Sequence, residues 1–494
     1  MSKFTSTLLY LIGITVFISL SSCKKDTFLT DTNVKLNFSE DTLIFDTVFT
    51  SVGSATEVFL VYNSNNRPIN ISSIKIAGGA NSNFRLNVDG VPGKVFNDVV
   101  IEANDSLFIF AEVTVDPNNG NTPLVITDSI VFETNGNIQD VDLVAWGQDA
   151  YFYRPTPGLG NIFFLNCNSV WNNDKPHVVY GYALIDSACT LVINAGAKVH
   201  FHPNSGMIVL TSGTLKVMGT ATLPVTIQGD RLGQDYAEIP GQWNFIQFSN
   251  ASATTNAISA GSKNSEINWA IIKNGNIGLV VDTVFQPNDT TLRLNNVIIK
   301  NMSGSALYAR GSNIAANNCV FSNCGQAAVK LFFGGNYRFI NSTIANYWTE
   351  GNRQEPALFL RNYFEVAGVR YFRSMNAQFY NSIITGNNDQ EIGLDSINNG
   401  SNTFNYKFDH VLLKVENSFS TSDPNKFNAI IRGAVANPQF DDVSSNNYQL
   451  GNTSICIDAG NNSFLNFSQE LLHDLNNNPR PQGSGCDLGA YEKR

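Results

Sequence analysis

The sequence predicts an all-β protein in which an N-terminal β-sandwich is followed by a right-handed parallel β-helix with a C-terminal cap. Of the 494 residues, 64 are Asn, which is poor in helix interiors and good in turns. Short β-branched and aromatic runs alternate with Asn, Gly and Asp along the chain. In the second half, one short motif recurs at intervals of a solenoid coil.

The composition excludes two classes of protein. A net charge of −10, from 31 basic and 41 acidic residues, argues against a nucleic-acid partner, which requires a basic surface. Only 15% of the residues are charged and 34 are Phe, which excludes a disordered chain.

Residues 1–22 have the pattern of a lipoprotein signal peptide. Lys3 precedes an apolar run from Leu8 to Leu20, which is too short to span a bilayer. The run ends in Leu-Ser-Ser-Cys, which resembles a bacterial lipobox with Cys23 as the lipidated residue. An ordinary secretory signal with an incidental Cys is the alternative. We expect residues 23–34 to form the acylated anchor and tether, and outer-membrane lipid to be a partner at the periplasmic or outer surface of the cell envelope.

Residues 35–149 contain short alternating strands near ten-residue spacing, which predicts a β-sandwich. The segments 49–53, 62–63, 68–71 and 145–147 resemble immunoglobulin-like domains of the Hydin and abnormal-spindle type. This resemblance implies an interaction or spacer module.

Residues 150–177 are predicted to be a connecting or N-terminal capping segment, and residues 178–455 a parallel β-helix. The motif occurs at 295–301, 317–323, 340–346 and 380–386. Its core positions Ile299, Phe321, Ile344 and Ile384 are 22, 23 and 40 residues apart, and Ile272 and Leu413 extend the series. The longest interval is either one coil with the insertion Tyr347–Met375 or an additional short coil.

Two sets of side chains should align between coils. Residues at i and i+2 share a face, so the first set points inward: Val297, Cys319, Ser342 and Ser382. The second set should form an amide ladder at one turn: Asn296, Asn318, Asn341 and Asn381.

Residues 456–494 are predicted to cap the solenoid after its last coil. The segments Asp458–Gly460, His473–Asp474, Asn478–Arg480 and Cys486–Glu492 resemble the closing motif of bacterial surface β-helix proteins. Residues 178–494 together resemble the pectate-lyase-like superfamily, and more narrowly the lipid-anchored β-helix proteins of Bacteroidetes. We expect Arg480 to pair structurally with Asp458, Asp474 or Asp487.

The six cysteines beyond Cys23 permit disulfides in an oxidising compartment. The preferred pairs are Cys456–Cys486 and Cys167–Cys189, with free buried thiols as the alternative.

The superfamily resemblance implies clustered acids that bind Ca²⁺ in lyases, or neighbouring Asp residues in hydrolases. This sequence aligns no two acidic residues in adjacent coils, so no cofactor is expected. Ca²⁺ would be a cofactor only if the protein were a lyase. The candidate catalytic residues are Asp230, Arg231 and Asp235, but a surface salt bridge that fixes this long loop is the preferred interpretation of their charges. The candidate binding residues are Tyr236, Trp348 and Arg353.

Trp243 is expected to pack in the core. His200 and His202 are expected to share an outward face, and without a third ligand they predict no metal site.

Three functions fit the sequence. The preferred hypothesis is a cell-envelope lipoprotein whose β-helix offers an elongated surface for binding, with glycan as ligand and without catalysis. The alternatives are a polysaccharide lyase or glycoside hydrolase, and an adhesin or scaffold with an envelope-protein partner.

Overall fold

The computed structural model describes residues 27–50, 53–54, 56–115, 124–251, 261–282, 290–397, 400–433 and 437–493. The chain divides into two compact units, and the boundary in the sequence lies between Asp149 and Ala150. The predicted signal peptide and Cys23 lie outside the described residues. Within the described ranges, no helix is both long and apolar enough to traverse a bilayer.

The first unit is a sandwich of two five-stranded sheets with strand orders β1-β3-β8-β5-β6 and β2-β10-β9-β4-β7. Its strands are β1 (Asn37–Phe38), β2 (Thr42–Phe49), β3 (Glu57–Asn63), β4 (Ile69–Ile76), β5 (Phe84–Val88), β6 (Val91–Gly93), β7 (Val95–Ile101), β8 (Asp105–Val113), β9 (Leu124–Thr134) and β10 (Asn137–Gln148). Alternate residues such as Phe59 and Val61 fill the core between the sheets, as period-two strands require.

Residues 27–34, expected to be part of a tether, pack on this sandwich instead. Leu29 and Val34 contact its core, and the Arg67 side chain donates to the Thr27 carbonyl oxygen at 3.0 Å. The apolar side chains at these two positions gain more from burial than from remaining in a solvated linker.

The second unit is a parallel solenoid. Its strands are β11 (Tyr151–Tyr153), β12 (Ile162–Phe164), β13 (Val170–Trp171), β14 (His177–Val179), β15 (Tyr182–Ile185), β16 (Thr190–Asn194), β17 (Lys198–Phe201), β18 (Gly206–Val209), β19 (Thr214–Met218), β20 (Val225–Gly229), β21 (Ile246–Phe248), β22 (Ser265–Lys273), β23 (Leu279–Val281), β24 (Leu292–Met302), β25 (Leu307–Arg310), β26 (Asn313–Asn317), β27 (Val320–Cys324), β28 (Val329–Phe332), β29 (Gly335–Ile340), β30 (Thr343–Asn346), β31 (Leu358–Arg361), β32 (Tyr363–Val366), β33 (Val369–Phe372), β34 (Met375–Gly386), β35 (Ile392–Asp395), β36 (Phe404–Leu413), β37 (Phe427–Arg432), β38 (Phe440–Asp442) and β39 (Asn447–Leu450). Short 3-10 helices lie at Gly79–Asn81 in the first unit and at Gln234–Tyr236, Asn462–Phe467 and Gln469–Leu472 in the second.

Each coil contributes to three parallel faces, and their inward side chains form one continuous core. The first face contains β13, β16, β19, β26, β29 and the leading halves of β22, β24, β34 and β36. The second contains β11, β14, β17, β20, β27, β30 and the trailing halves of the same long strands, and β37 bends from the first face onto the second. The third is β12-β15-β18-β21-β23-β25-β28-β31-β35.

The predicted repeat register is confirmed. Ile299, Phe321, Ile344 and Ile384 are directly paired between successive coils, with Ile272 before them and Leu413 after. The 40-residue interval is a single coil, because β34 pairs directly with both β29 and β30. Its insertion carries β31 on the third face and the antiparallel hairpin β32–β33.

The predicted asparagine ladder lies at the bend between the first and second faces. Asn296, Asn318, Asn341 and Asn381 all have positive φ, between 46° and 57°. Asn tolerates this left-handed conformation better than other residues with a Cβ. The Asn318 amide donates to Asn296 Oδ1 at 3.0 Å, and the Asn381 amide lies 3.5 Å from Asn341 Oδ1.

Two predicted boundaries need correction. Residues 150–177 are not a separate connecting segment, because β11, β12 and β13 pair with the next coil in parallel register and so form the first coil. At the other end, the last parallel strand is β37, which ends at Arg432, and β38–β39 is an antiparallel hairpin. The coils therefore end before residue 455.

The C-terminal segment does not cover the end of the solenoid as predicted, but packs along its flank. Tyr448, Leu450 and Leu488 pack on outward apolar side chains of the second face, among them Val320, Ala345, Ile383 and Leu412. The ladder amides of Asn318 and Asn381 donate to the carbonyls of Glu470, His473 and Asn461. Without the C-terminal segment these apolar side chains would be exposed to water, so the hydrophobic effect explains why the segment packs along this flank.

Arg480 is buried in this segment, but its partner is not one of the predicted aspartates. Its Nε lies 3.5 Å from Glu492 Oε1, and both terminal nitrogens donate to the Gly489 carbonyl. Asp458, Asp474 and Asp487 accept backbone N–H groups instead and so fold the segment on itself.

The structure contains the Cys167–Cys189 disulfide, one of the two pairs preferred on sequence. The Cys456–Cys486 pair is wrong, since both thiols are free and buried. Cys456 packs with Leu450 and Leu488, whereas Cys486 packs with Tyr380 and Leu471 in a different cluster, which separates the two sulfurs.

Candidate functional site

The loop that was expected to carry catalysis does not bring its polar residues together. The Asp230 carboxylate turns away to His202, with Oδ2 2.7 Å from Nδ1, and is only 8% exposed. Burial raises the pKa of Asp230, and the contact with His202 opposes that shift. The Arg231 guanidinium lies over the Tyr236 ring at 5.0 Å, and Asp235 is exposed in the short 3-10 helix.

This loop is held by a residue that the sequence did not indicate. The Glu238 carboxylate lies 3.1 Å from Lys273 Nζ and 2.8 Å from Lys300 Nζ, on consecutive coils. Gln242 donates to the Tyr236 carbonyl at 2.7 Å, and Trp243 is in the core as expected. An ion pair therefore fixes the loop, but Glu238 makes it.

The structure removes Arg353 from the candidate ligand contacts. Its guanidinium makes a two-point contact with Glu391, at 2.9 and 2.6 Å, and the two side chains are 2% and 0% exposed. Trp348 is half-buried, and its carbonyl accepts from Asn387 at 2.7 Å.

The two strand histidines do not form a pair of ligands. His200 is buried rather than outward-exposed, and its Nδ1 lies 3.0 Å from the Gly229 carbonyl oxygen. Burial lowers the pKa of His200 to about 4. Across the described part of the chain, no group of three or more His, Cys, Asp or Glu side chains is placed to hold a metal ion.

The first face carries a groove that we call the amide groove. It consists of two adjoining cavities of about 250 and 340 Å³, which share Asn313, Asn336 and Asn376 as lining residues. The other polar lining residues are Thr290, Tyr337, Arg338, Arg373, Ser374, Gln378 and Thr403.

The register of the coils builds this lining. Asn313, Asn336 and Asn376 are paired on β26, β29 and β34, and Arg338 pairs with Gln378 two residues further on. Alternate residues such as Phe339 and Ala377 fill the core, so the amides point outward. The Asn336 amide donates to Asn313 Oδ1 at 3.0 Å, which orients neighbouring amides along the groove.

One end of the groove is fixed by Tyr337. Its hydroxyl donates to the Gly334 carbonyl at 2.7 Å and accepts from the Ser312 N–H at 3.3 Å. Burial raises the pKa of this phenol to about 12. Gly335 has φ of 112°, and a Cβ there would lie 2.4 Å from the Ser312 carbonyl oxygen, so the tight approach requires glycine.

The chemistry of the lining favours binding. Amide groups offer both donors and acceptors, which matches hydroxyl-rich ligands. Among the described residues that line the groove none is Asp or Glu, so the groove lacks the carboxylate pair of a glycosidase. The Arg338 guanidinium is part of the lining and also lies over the Phe467 ring at 4.9 Å.

The amide groove is not among the sites expected from the sequence. A usable signal was present, because Asn313, Asn336 and Asn376 precede the recognised repeats at constant register. The apolar pattern is strongest in the trailing part of each repeat, and these asparagines lie before it.

Comparisons with known proteins give distant structural likenesses. The catalytic unit of a thermostable GH87 α-1,3-glucanase from Streptomyces thermodiastaticus strain HF3-3 is 11% identical, with 73% of this chain and 68% of that chain covered at a TM-score of 0.28. A family 123 glycoside hydrolase from Clostridium perfringens is 12% identical, with 26% and 30% covered at 0.18.

The PapD-like domain 7 of human CEP192 is 11% identical, with 26% of this chain and 92% of that domain covered at a TM-score of 0.16. No protein-family model matches the chain, and no curated protein matches it. Similarity at this level assigns neither a family nor an activity to the chain.

Proposed function

We propose that this protein is a cell-envelope lipoprotein whose β-helix binds glycan in the amide groove without catalysis. The observation that carries the proposal is the groove itself, in which three consecutive coils align amide side chains outward and no described lining residue is an acid. Sugar hydroxyls satisfy such amides as both donors and acceptors. Acylation of Cys23 and attachment to outer-membrane lipid are part of the same proposal.

A soluble chain that begins at Thr27 tests the binding. We would measure its affinity for dextran, mannan, xyloglucan, polygalacturonate and alginate, with and without Ca²⁺, together with new reducing or unsaturated ends. The proposal expects affinity for at least one of these polysaccharides without turnover.

The double variant Asn376→Ala/Gln378→Ala removes two amides from the groove. Two lost hydrogen bonds at about 0.5–1.5 kcal/mol each should weaken binding about tenfold. The matched control is Gln449→Ala/Asn476→Ala, which removes two contacting exposed amides from the C-terminal segment.

Two outcomes would overturn the proposal. Turnover, especially turnover lost in Asp230→Ala, would indicate a polysaccharide lyase or hydrolase. Absence of both affinity and turnover would indicate a scaffold or adhesin with a protein partner. Mass spectrometry of Cys23 in the full chain tests the lipid anchor separately.

A further inference from the structure

The hairpin β32–β33 has one side that is entirely apolar. Phe364 pairs with Tyr371 and Val366 pairs with Val369, and since residues at i and i+2 share a side, all four lie together. Their exposed fractions are 37%, 49%, 55% and 53%. Four neighbouring apolar side chains left in water on a projecting hairpin indicate a contact that is not made within the described chain.

The local sequence forms this hairpin through a two-residue turn. Ala367 and Gly368 both have positive φ, of 50° and 76°, which matches the twist of an antiparallel pair. The rings of Phe364 and Tyr371 are nearly parallel, at 15°, with centroids 5.1 Å apart. We call this stacked pair of rings the aromatic platform.

Contacts at the base of the hairpin show which way each side faces. On the polar side, the Tyr363 hydroxyl donates to Asp395 Oδ2 at 2.9 Å, so that side lies against the third face. On the apolar side, the Phe364 and Phe333 rings are nearly perpendicular, at 84°, with centroids 4.6 Å apart. The guanidinium of Arg373, which lines the amide groove, lies 5.7 Å from the Phe333 ring centroid.

We infer that the aromatic platform stacks against the C–H face of a pyranose ring of the glycan held in the amide groove. This inference rests on the proposed function and names the ligand class, a glycan whose pyranose rings present an unbroken C–H face. A sugar ring has an apolar face and a hydroxyl rim, so amides and aromatic rings bind its two parts. Phe333 and Arg373 connect the platform to the amide groove, since Phe333 contacts Phe364 and Arg373 lines the groove. A glycan bound in the groove is therefore the ligand that we assign to the platform.

The test compares two double variants of the same hairpin in the chain from Thr27. Phe364→Ala/Tyr371→Ala removes the platform, whereas Glu365→Ala/Arg370→Ala removes an exposed ion pair on the opposite side. The probes are the five polysaccharides named above. We expect the platform variant to bind each polysaccharide recognised by the wild type about tenfold more weakly, and the control within about twofold of the wild type.

Circular dichroism shows whether both variants keep the β-helix. Wild-type affinity in the platform variant overturns the inference and leaves the proposed function standing, whereas no wild-type affinity for any probe refutes both. Analytical ultracentrifugation at increasing protein concentration tests whether a second copy of the chain binds the apolar side instead. A wild-type dimer that the platform variant converts to monomer would make this side a contact between copies and overturn the inference.

Discussion

Replacement of Arg353 by Met tests whether this arginine is structural or ligand-binding. The change leaves the Glu391 carboxyl group without its cationic partner in a site where its side chain is 0% exposed. Met fills much of the same volume, so the main loss is the partner of a buried charge. Removing one partner of a buried ion pair costs about 3–5 kcal/mol in the free energy of unfolding.

The remaining contacts of Glu391 do not compensate. Its two oxygens still accept the Ala357 and Asn388 N–H groups, at 2.7 Å each. They lose both guanidinium contacts, and the Asn346 carbonyl loses its Arg353 donor at 3.0 Å. The double variant Arg353→Met/Glu391→Gln removes the charge and should recover part of the loss.

Denaturant unfolding of the chain from Thr27, followed by tryptophan fluorescence, measures the effect, since four of its five Trp residues lie in the solenoid unit. Arg370→Met is the matched control, because Arg370 makes the same type of pair with Glu365 in solvent, with Nε 2.7 Å from Oε2. We expect the control to unfold nearly like the wild type.

Equal losses in Arg353→Met and Arg370→Met would refute the reasoning that burial sets the cost. A double variant less stable than Arg353→Met would refute the assignment of that cost to the unpaired carboxylate. Loss of glycan affinity in folded Arg353→Met would restore Arg353 as a ligand contact.

Three further predictions concern stability and thiols. Burial lowers the pKa of His200 from 6.5 to about 4. As the pH falls, the unfolded chain therefore binds this proton before the folded chain does, so the free energy of unfolding decreases by about 3 kcal/mol between about pH 6.5 and pH 4. The variant His200→Gln should lack this part of the pH dependence of unfolding. In the chain from Thr27 all four free thiols are buried, so a thiol reagent should label none of them in the native protein. After denaturation it should label four, Cys456 and Cys486 among them. Only two labelled thiols after denaturation would indicate a second disulfide. Asn381→Ala removes two hydrogen bonds to Asn461, at 3.1 and 2.8 Å, so the free energy of unfolding should fall by about 1–3 kcal/mol. Protease should then cleave the C-terminal segment faster than in the wild type, and unchanged cleavage would contradict the anchoring role of Asn381.

Much of the solenoid could be predicted because its information is local and repeated. Ile299, Phe321 and Ile344 recur at coil spacing, because each coil needs an apolar side chain at the inward position that pairs with the coil before it. The ladder position was predictable for the same reason, since a left-handed bend in every coil selects Asn at the same place.

Contacts between segments distant in sequence were not predictable in this way. The pairing of Arg353 with Glu391, and of Glu238 with two lysines from consecutive coils, depends on where an inserted loop folds back. A charged residue in a loop has the same sequence signature whether it becomes buried or stays exposed, so the sequence does not distinguish a buried ion pair at Arg353 from a ligand contact.

The sequence by itself therefore determined the all-β class, the order of sandwich and solenoid, and the register of the core. Only the tertiary structure decided that the C-terminal segment lies along the flank, that Cys456 and Cys486 are apart, and that Asn313, Asn336 and Asn376 line a groove. The physical reason is that strand periodicity fixes which side chains point inward, whereas the fate of an outward side chain depends on what packs over it. On the second face the C-terminal segment covers the outward residues, and on the first face the amides line an open groove.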